Sequence, residues 1–176
     1  MPDGRDTTSG LPVNRRSLVL GGAASVGAGA PGLFRALSPA KAAAAFEVAR
    51  TDEEWRRLLT PEQYRVLRKH GTERAGSSPL DKEARRGTYS CAGCSLPVYA
   101  SGTKFDSRTG WPSFWAPIAG AVGTSEDHGW LTTRTEVHCC RCGGHLGHVF
   151  DDGPKPTGLR YCMNGVALAF VPDAAT

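Results

Sequence analysis

A chain of 176 residues is long enough for one well-cored domain and short for two. Its 40% hydrophobic and 22% charged residues are ordinary for a soluble globular protein, and 22 glycines with 12 prolines favour short strands and turns over long helices. The formal charge of +4 sits mostly in residues 1–42, which hold five of the 21 basic groups and two of the 17 acidic ones; the nearly neutral remainder has no basic cluster for a nucleic-acid partner.

Asn14-Arg15-Arg16-Ser17-Leu18-Val19 precedes a small apolar run to about Ala30, too short to cross a membrane. That layout is an export signal and resembles the twin-arginine type, with Ala40, Ala42 and Ala44 as cleavage positions of the Ala-x-Ala kind. A disordered tail and a retained anchor are the alternatives. Residues 1–45 are therefore set apart as signal and linker, and residues 46–176 as the domain. The expected location is extracytoplasmic (periplasm, cell envelope or medium), with no membrane contact after cleavage.

Thr51-Asp52-Glu53-Glu54 starts a helix, since its acidic groups lie in the first turn where they favour the helix dipole. Trp55, Leu58 and Leu59 then fall on one face. Thr60-Pro61 starts a second helix, with Tyr64 and Leu67 three apart and Gly71 as its C-terminal cap. After Gly87 the texture changes to short extended runs, and strands are predicted over residues 88–91, 97–100, 129–134, 135–138, 148–151, 159–163 and 166–171. In the last, Val166, Leu168 and Phe170 alternate with alanines and form a large-residue face. The expected fold is mainly β and antiparallel, with short helices at its N-terminal edge.

Cys91 and Cys94 form one two-residue-spaced pair, and Cys139 and Cys142 another. Two such knuckles complete a tetrahedral four-cysteine zinc site, and a full ligand set leaves no open position, so the zinc is structural. Gly93 and Gly143 stand where a knuckle needs unusual backbone angles. Residues 95–138 separate the pairs, so the metal closes a long loop and could supply on the order of 10 kcal/mol to folding. Two disulfides, or a redox Cys-x-x-Cys, are the competing readings.

Cys140 and Cys162 remain. In Arg160-Tyr161-Cys162-Met163-Asn164 a thiol stands beside a cation, which lowers a thiol pKa and favours the nucleophilic thiolate, although an isolated strand cysteine is more often buried packing. His145 and His148, three apart among glycines, offer proton donors near neutral pH, or metal ligands, or satisfied polar groups. Trp111, Phe114 and Trp115 concentrate aromatics at a turn, as core or as an apolar wall for a small thioether-like group.

Lys104-Phe105-Asp106-Ser107-Arg108-Thr109-Gly110-Trp111-Pro112-Ser113-Phe114, Gly143-Gly144-His145-Leu146-Gly147-His148-Val149-Phe150 and Arg160-Tyr161-Cys162-Met163-Asn164 together resemble the methionine-R-sulfoxide reductase family, as do Leu59-Thr60-Pro61-Glu62-Gln63-Tyr64 and the run from His70 to Glu73. The likeness spans roughly residues 52–172. It implies two antiparallel sheets (a β-tent) with zinc away from the active site. It further implies attack of Cys162 on the sulfoxide sulfur, leaving a Cys162 sulfenic acid. His145 and His148 would position and protonate the sulfoxide oxygen, and Asn164 would hydrogen-bond in the same cluster. Trp111 would pack the substrate methyl, with Phe114, Phe150 and Arg160 completing the substrate site. The implied partners are proteins carrying methionine-R-sulfoxide and a thioredoxin-like reductant, and a monomer is expected.

Two departures stand out. Many members have a resolving cysteine two residues before the tryptophan, where this chain has Thr109, which leaves Cys140 as the only spare thiol. Gly165-Val166 also follows Asn164 where Ser-Ala is frequent. A non-catalytic zinc β-module is the main competing reading, but it would not need Cys162, both histidines and Trp111 together.

Overall fold

A computed structural model of the chain describes residues 46–128 and 133–174. The predicted export segment, and the first four residues of the strand predicted over 129–134, lie outside the described residues. Helix α1, Asp52–Leu58, and helix α2, Pro61–Lys69, each begin with a capping box. Thr51 pairs reciprocally with Glu54 and Thr60 with Gln63, so the first free amides of both helices are satisfied. Trp55 and Leu59 are buried as expected, whereas Leu58 is 59% exposed and leaves the apolar face. The residue capping α2 in the left-handed conformation is His70 (φ 52°), one position before the expected Gly71.

Nine strands follow among the described residues, all paired antiparallel. They are β1 Gly87–Cys91, β2 Pro97–Ala100, β3 Lys104–Phe105, β4 Ser113–Phe114, β5 Val122–His128, β6 Thr133–Cys139, β7 His145–Phe150, β8 Arg160–Met163 and β9 Leu168–Pro172. They form a three-stranded sheet, β2-β1-β9, and a six-stranded sheet, β3-β4-β8-β7-β6-β5. Two antiparallel sheets with two short helices is the architecture anticipated above. Strand β5 was not foreseen, because Val-Gly-Thr-Ser-Glu-Asp-His carries little apolar alternation and lies at a sheet edge. The last strand begins two residues later than expected, since residues 165–167 take a 3-10 turn.

The core lies between the sheets. Tyr99 of β2 stacks on Phe114 of β4 with ring centroids 4.3 Å apart, Tyr89 of β1 meets Phe114 edge-on, and the Tyr99 hydroxyl donates to Met163 Sδ at 3.1 Å. Helix α2 packs on β7 and on the turn at 165–167, burying Val66 and Leu67. Consequently one face of the six-stranded sheet is buried against the smaller sheet, and residues of opposite parity point away from that core.

Candidate active and metal sites

Strand register gathers the reactive residues. Ser125, Glu136, His148, Cys162 and Ser113 lie directly opposite one another across β5, β6, β7, β8 and β4, so their side chains share one face. Phe150 opposite Arg160 forms the next row on that face. Phe114 pairs with Tyr161, so alternation turns it to the other face, where it is fully buried in the core. It therefore does not line the site, and Ser113 stands beside Cys162 in its place.

His145 and His148 are three apart, which in a regular strand would put them on opposite faces. A bulge prevents this: Val137 pairs with Gly147 and His138 with His145, so Leu146 is the extra residue. Both imidazoles thus come to one side, with ring centroids 5.3 Å apart. Close strand approach is equally local. A Cβ at Gly147 would lie 2.1 Å from the Cys162 carbonyl oxygen, so no side chain fits between β7 and β8 there.

Cys162 opens into a cavity of about 280 Å³ whose wall includes Trp111, His148, Phe150, Arg160, Thr109 and Arg134. Thr109 Oγ1 is 3.9 Å from its sulfur. The expectation that Arg160 lowers the Cys162 pKa holds only in direction. Burial pushes the thiol up, and Thr109, Arg160 and Ser113 oppose it without prevailing. The Arg160 guanidinium is held bidentate by Asp152, both contacts at 2.8 Å, and lies 4.4 Å over the Phe150 ring. His148 Nε2 is 2.7 Å from Asp127 Oδ2, which also receives Arg134 at 2.8 Å; burial lowers the His148 pKa, with Asp127 opposing.

His145 is buried behind the cavity wall at 1% exposure. Its Nδ1 lies 2.7 Å from Glu136 Oε1, and the Glu136 carboxyl is held down at about 2, chiefly by that hydrogen bond. Asn164 borders the cavity itself and is pinned by two hydrogen bonds. Its Oδ1 accepts from the Glu73 amide at 2.9 Å and its Nδ2 donates to the Leu146 carbonyl at 3.1 Å, joining the α2 exit to the bulge. Trp111 is held by an indole hydrogen bond to the Glu73 carbonyl at 3.3 Å, and the buried Glu73 carboxylate receives the Gly165 and Val166 amides. Glu73, Glu136 and Asp127 went unread as site residues because a single acidic residue in sequence looks like a solvated surface group.

The four paired cysteines converge as expected. Cys91, Cys94, Cys139 and Cys142 place their sulfurs within 4.8 Å of one another, with Cys91–Cys142 at 3.7 Å and Cys94–Cys139 at 3.5 Å. Metal–sulfur bonds of about 2.3 Å in a tetrahedron require sulfurs about 3.8 Å apart, so the set fits a four-coordinate ion. A disulfide needs about 2.05 Å, and all six cysteines are free. The two knuckles match: Ser95 and Gly143, each directly after the second cysteine, take left-handed backbone (φ 61° and 66°), so the special position in the first knuckle is Ser95 and not Gly93. Cys140 is exposed in the second knuckle and is not part of the Cys162 cavity wall.

A SelR domain matches residues 59–172. Proteins named peptide methionine sulfoxide reductase MsrB are similar to this chain in several organisms. That of Leptospira interrogans is 52% identical over 126 residues, 71% of this chain and 96% of the relative. That of Agrobacterium fabrum is 51% identical over 127 residues (72% and 94%), and that of Leifsonia xyli is 54% identical over 130 (73% and 94%). Fold, clustered site and these similarities agree, and the chain belongs to the SelR-domain family of MsrB peptide methionine sulfoxide reductases.

Proposed function

We propose that this enzyme reduces methionine-R-sulfoxide in proteins, and in the free amino acid, to methionine through a Cys162 sulfenic acid. The observation that carries the reading is Cys162 on the cavity floor directly opposite His148, with Trp111 and Phe150 as apolar walls for a methylthio group. The Cys162 sulfur attacks the sulfoxide sulfur as the S–O bond breaks. Oxygen and the thiol proton end on Cys162 as sulfenic acid, methionine leaves, and two electrons pass from one sulfur to the other. His148 faces the cavity, and its protonated form, with Nε2–H on Asp127 Oδ2, has a second N–H to donate to the sulfoxide oxygen as that oxygen gains charge. With Thr109 beside the sulfur and Cys140 elsewhere, a thioredoxin-like dithiol reduces the sulfenic acid directly, giving water, a disulfide on the reductant and the free Cys162 thiol.

The four-cysteine cluster holds one structural zinc, whose preferred tetrahedral coordination by four thiolates it matches with no position left open. Residues 1–45, with Arg15-Arg16 before an apolar run, direct export. Assay of separated R- and S-sulfoxides tests the chemistry. Cys162→Ser is expected to lose R-sulfoxide turnover below about 0.1% of wild type while retaining metal and fold. Residual activity near the wild-type level, or preference for the S-epimer, overturns the reading.

A further inference from the structure

Glu136 is a buried carboxylate on the reactive face, hydrogen-bonded by two side chains and approached by a third. His145 Nδ1 lies at 2.7 Å and His70 Nδ1 at 2.9 Å from Oε1, and Ser125 Oγ donates to Oε2 at 2.7 Å. A carboxylate can only accept, so His145 is fixed with its proton on Nδ1. Its Nε2 is then the lone-pair nitrogen, and it is buried with no hydrogen-bond partner among the described residues. A buried ring nitrogen left unpaired is destabilising, and packing alone does not require it. The same arrangement of carboxylate, Nδ1–H and free Nε2 makes an imidazole a proton acceptor in hydrolytic triads.

His70 supports the arrangement from the end of α2. It takes left-handed backbone although Gly71, which would do so without strain, is the next residue. For a non-glycine residue this conformation is strained, and here it brings the His70 ring onto Glu136 and within 5.2 Å of the His145 ring.

Resting on the proposed reductase chemistry, we propose that Glu136 is a positioning residue of the reaction: from the row that also holds His148 and Cys162 it locks His145 as the Nδ1–H tautomer and orients that imidazole beside His148. His70 and Ser125 hold the carboxylate in place.

The test is imidazole nitrogen NMR of the full chain labelled at histidine, together with steady-state kinetics on an R-sulfoxide. The wild type is expected to show His145 protonated at Nδ1. Glu136→Gln is expected to lose that single tautomer and to lower kcat about 10- to 100-fold with KM within about twofold. His70→Asn keeps the left-handed cap and lowers kcat about threefold. A wild-type His145 protonated at Nε2 alone, or Glu136→Gln with kcat close to wild type, overturns the proposal. Should Glu136→Gln fail to fold, the wild-type tautomer decides by itself. A chain inactive on both epimers would defeat the reductase reading, whereas the NMR result would still report on Glu136.

Discussion

The Cys162 thiol lies between opposed influences. Burial favours the neutral thiol, while the Thr109 hydroxyl, Arg160 guanidinium and Ser113 hydroxyl favour the thiolate, and burial wins. Burial therefore holds the folded pKa above the ordinary thiol value of about 8.5, and the neutral thiol prevails at pH 7. Alkylation by iodoacetamide of a Cys140→Ser chain is expected to inflect above that value, and Arg160→Met to move the inflection further up; an inflection near pH 7 would contradict the burial argument. Glu136 behaves oppositely. Its carboxyl falls from 4.5 to about 2, so its stabilisation is complete above about 4.5 and disappears as pH falls through about 2. Glu136→Gln should accordingly be less stable than wild type at pH 7, by about 1–3 kcal/mol, with the gap closing on acidification across that window. Denaturant titrations at several pH values measure it; a gap that widens in acid has the wrong sign.

At the scale of elements, β7 decides the site. The sequence displays His145 and His148 but not the bulge at Leu146 that aligns them, because a bulge is a property of the register with β6. Phe114 shows the same limit: its aromatic turn context was visible, but its facing was set by pairing with Tyr161. The Cys-x-x-Cys knuckles, the helix starts at Thr51 and Thr60, and the Arg160, Cys162 and Asn164 alternation were legible, since each depends on spacing within one segment. Asp127 and Glu136 were not, since their meaning arises only across strands. Gly147 tests how tightly β7 must approach β8. A methyl there meets the Cys162 carbonyl at 2.1 Å and Met163 Cα at 2.9 Å, both backbone atoms that cannot swing aside. Gly147→Ala is expected to cost about 3 kcal/mol and to cut kcat more than about tenfold by shifting Cys162 relative to His148. Thermal melts and turnover with wild-type values would show that the strands separate without consequence.

Across the whole domain, the four-cysteine cluster joins parts that strand pairing leaves separate. Cys91 ends β1 of the three-stranded sheet and Cys139 ends β6 of the six-stranded one, and among the described residues no strand pairing connects the two sheets. The cluster also collects the periphery: Arg68 of α2 donates to the Cys142 carbonyl at 3.0 Å, and the Val48 amide donates to the Arg141 carbonyl at 2.9 Å. Only Gly143 and Gly144 separate Cys142 from His145, so the second knuckle sets where β7 begins. Structural zinc supplies on the order of 10 kcal/mol, comparable with the entire stability of a typical domain, about 5–15 kcal/mol. Its removal should therefore unfold the domain rather than loosen one corner. Metal analysis should find one ion per chain. Chelation after mercurial release, or Cys142→Ser, should abolish the cooperative thermal transition and activity together, and zinc should restore both to the chelated wild type. A metal-free chain that melts cooperatively at the holo temperature would mean that the sheets hold each other by core packing alone.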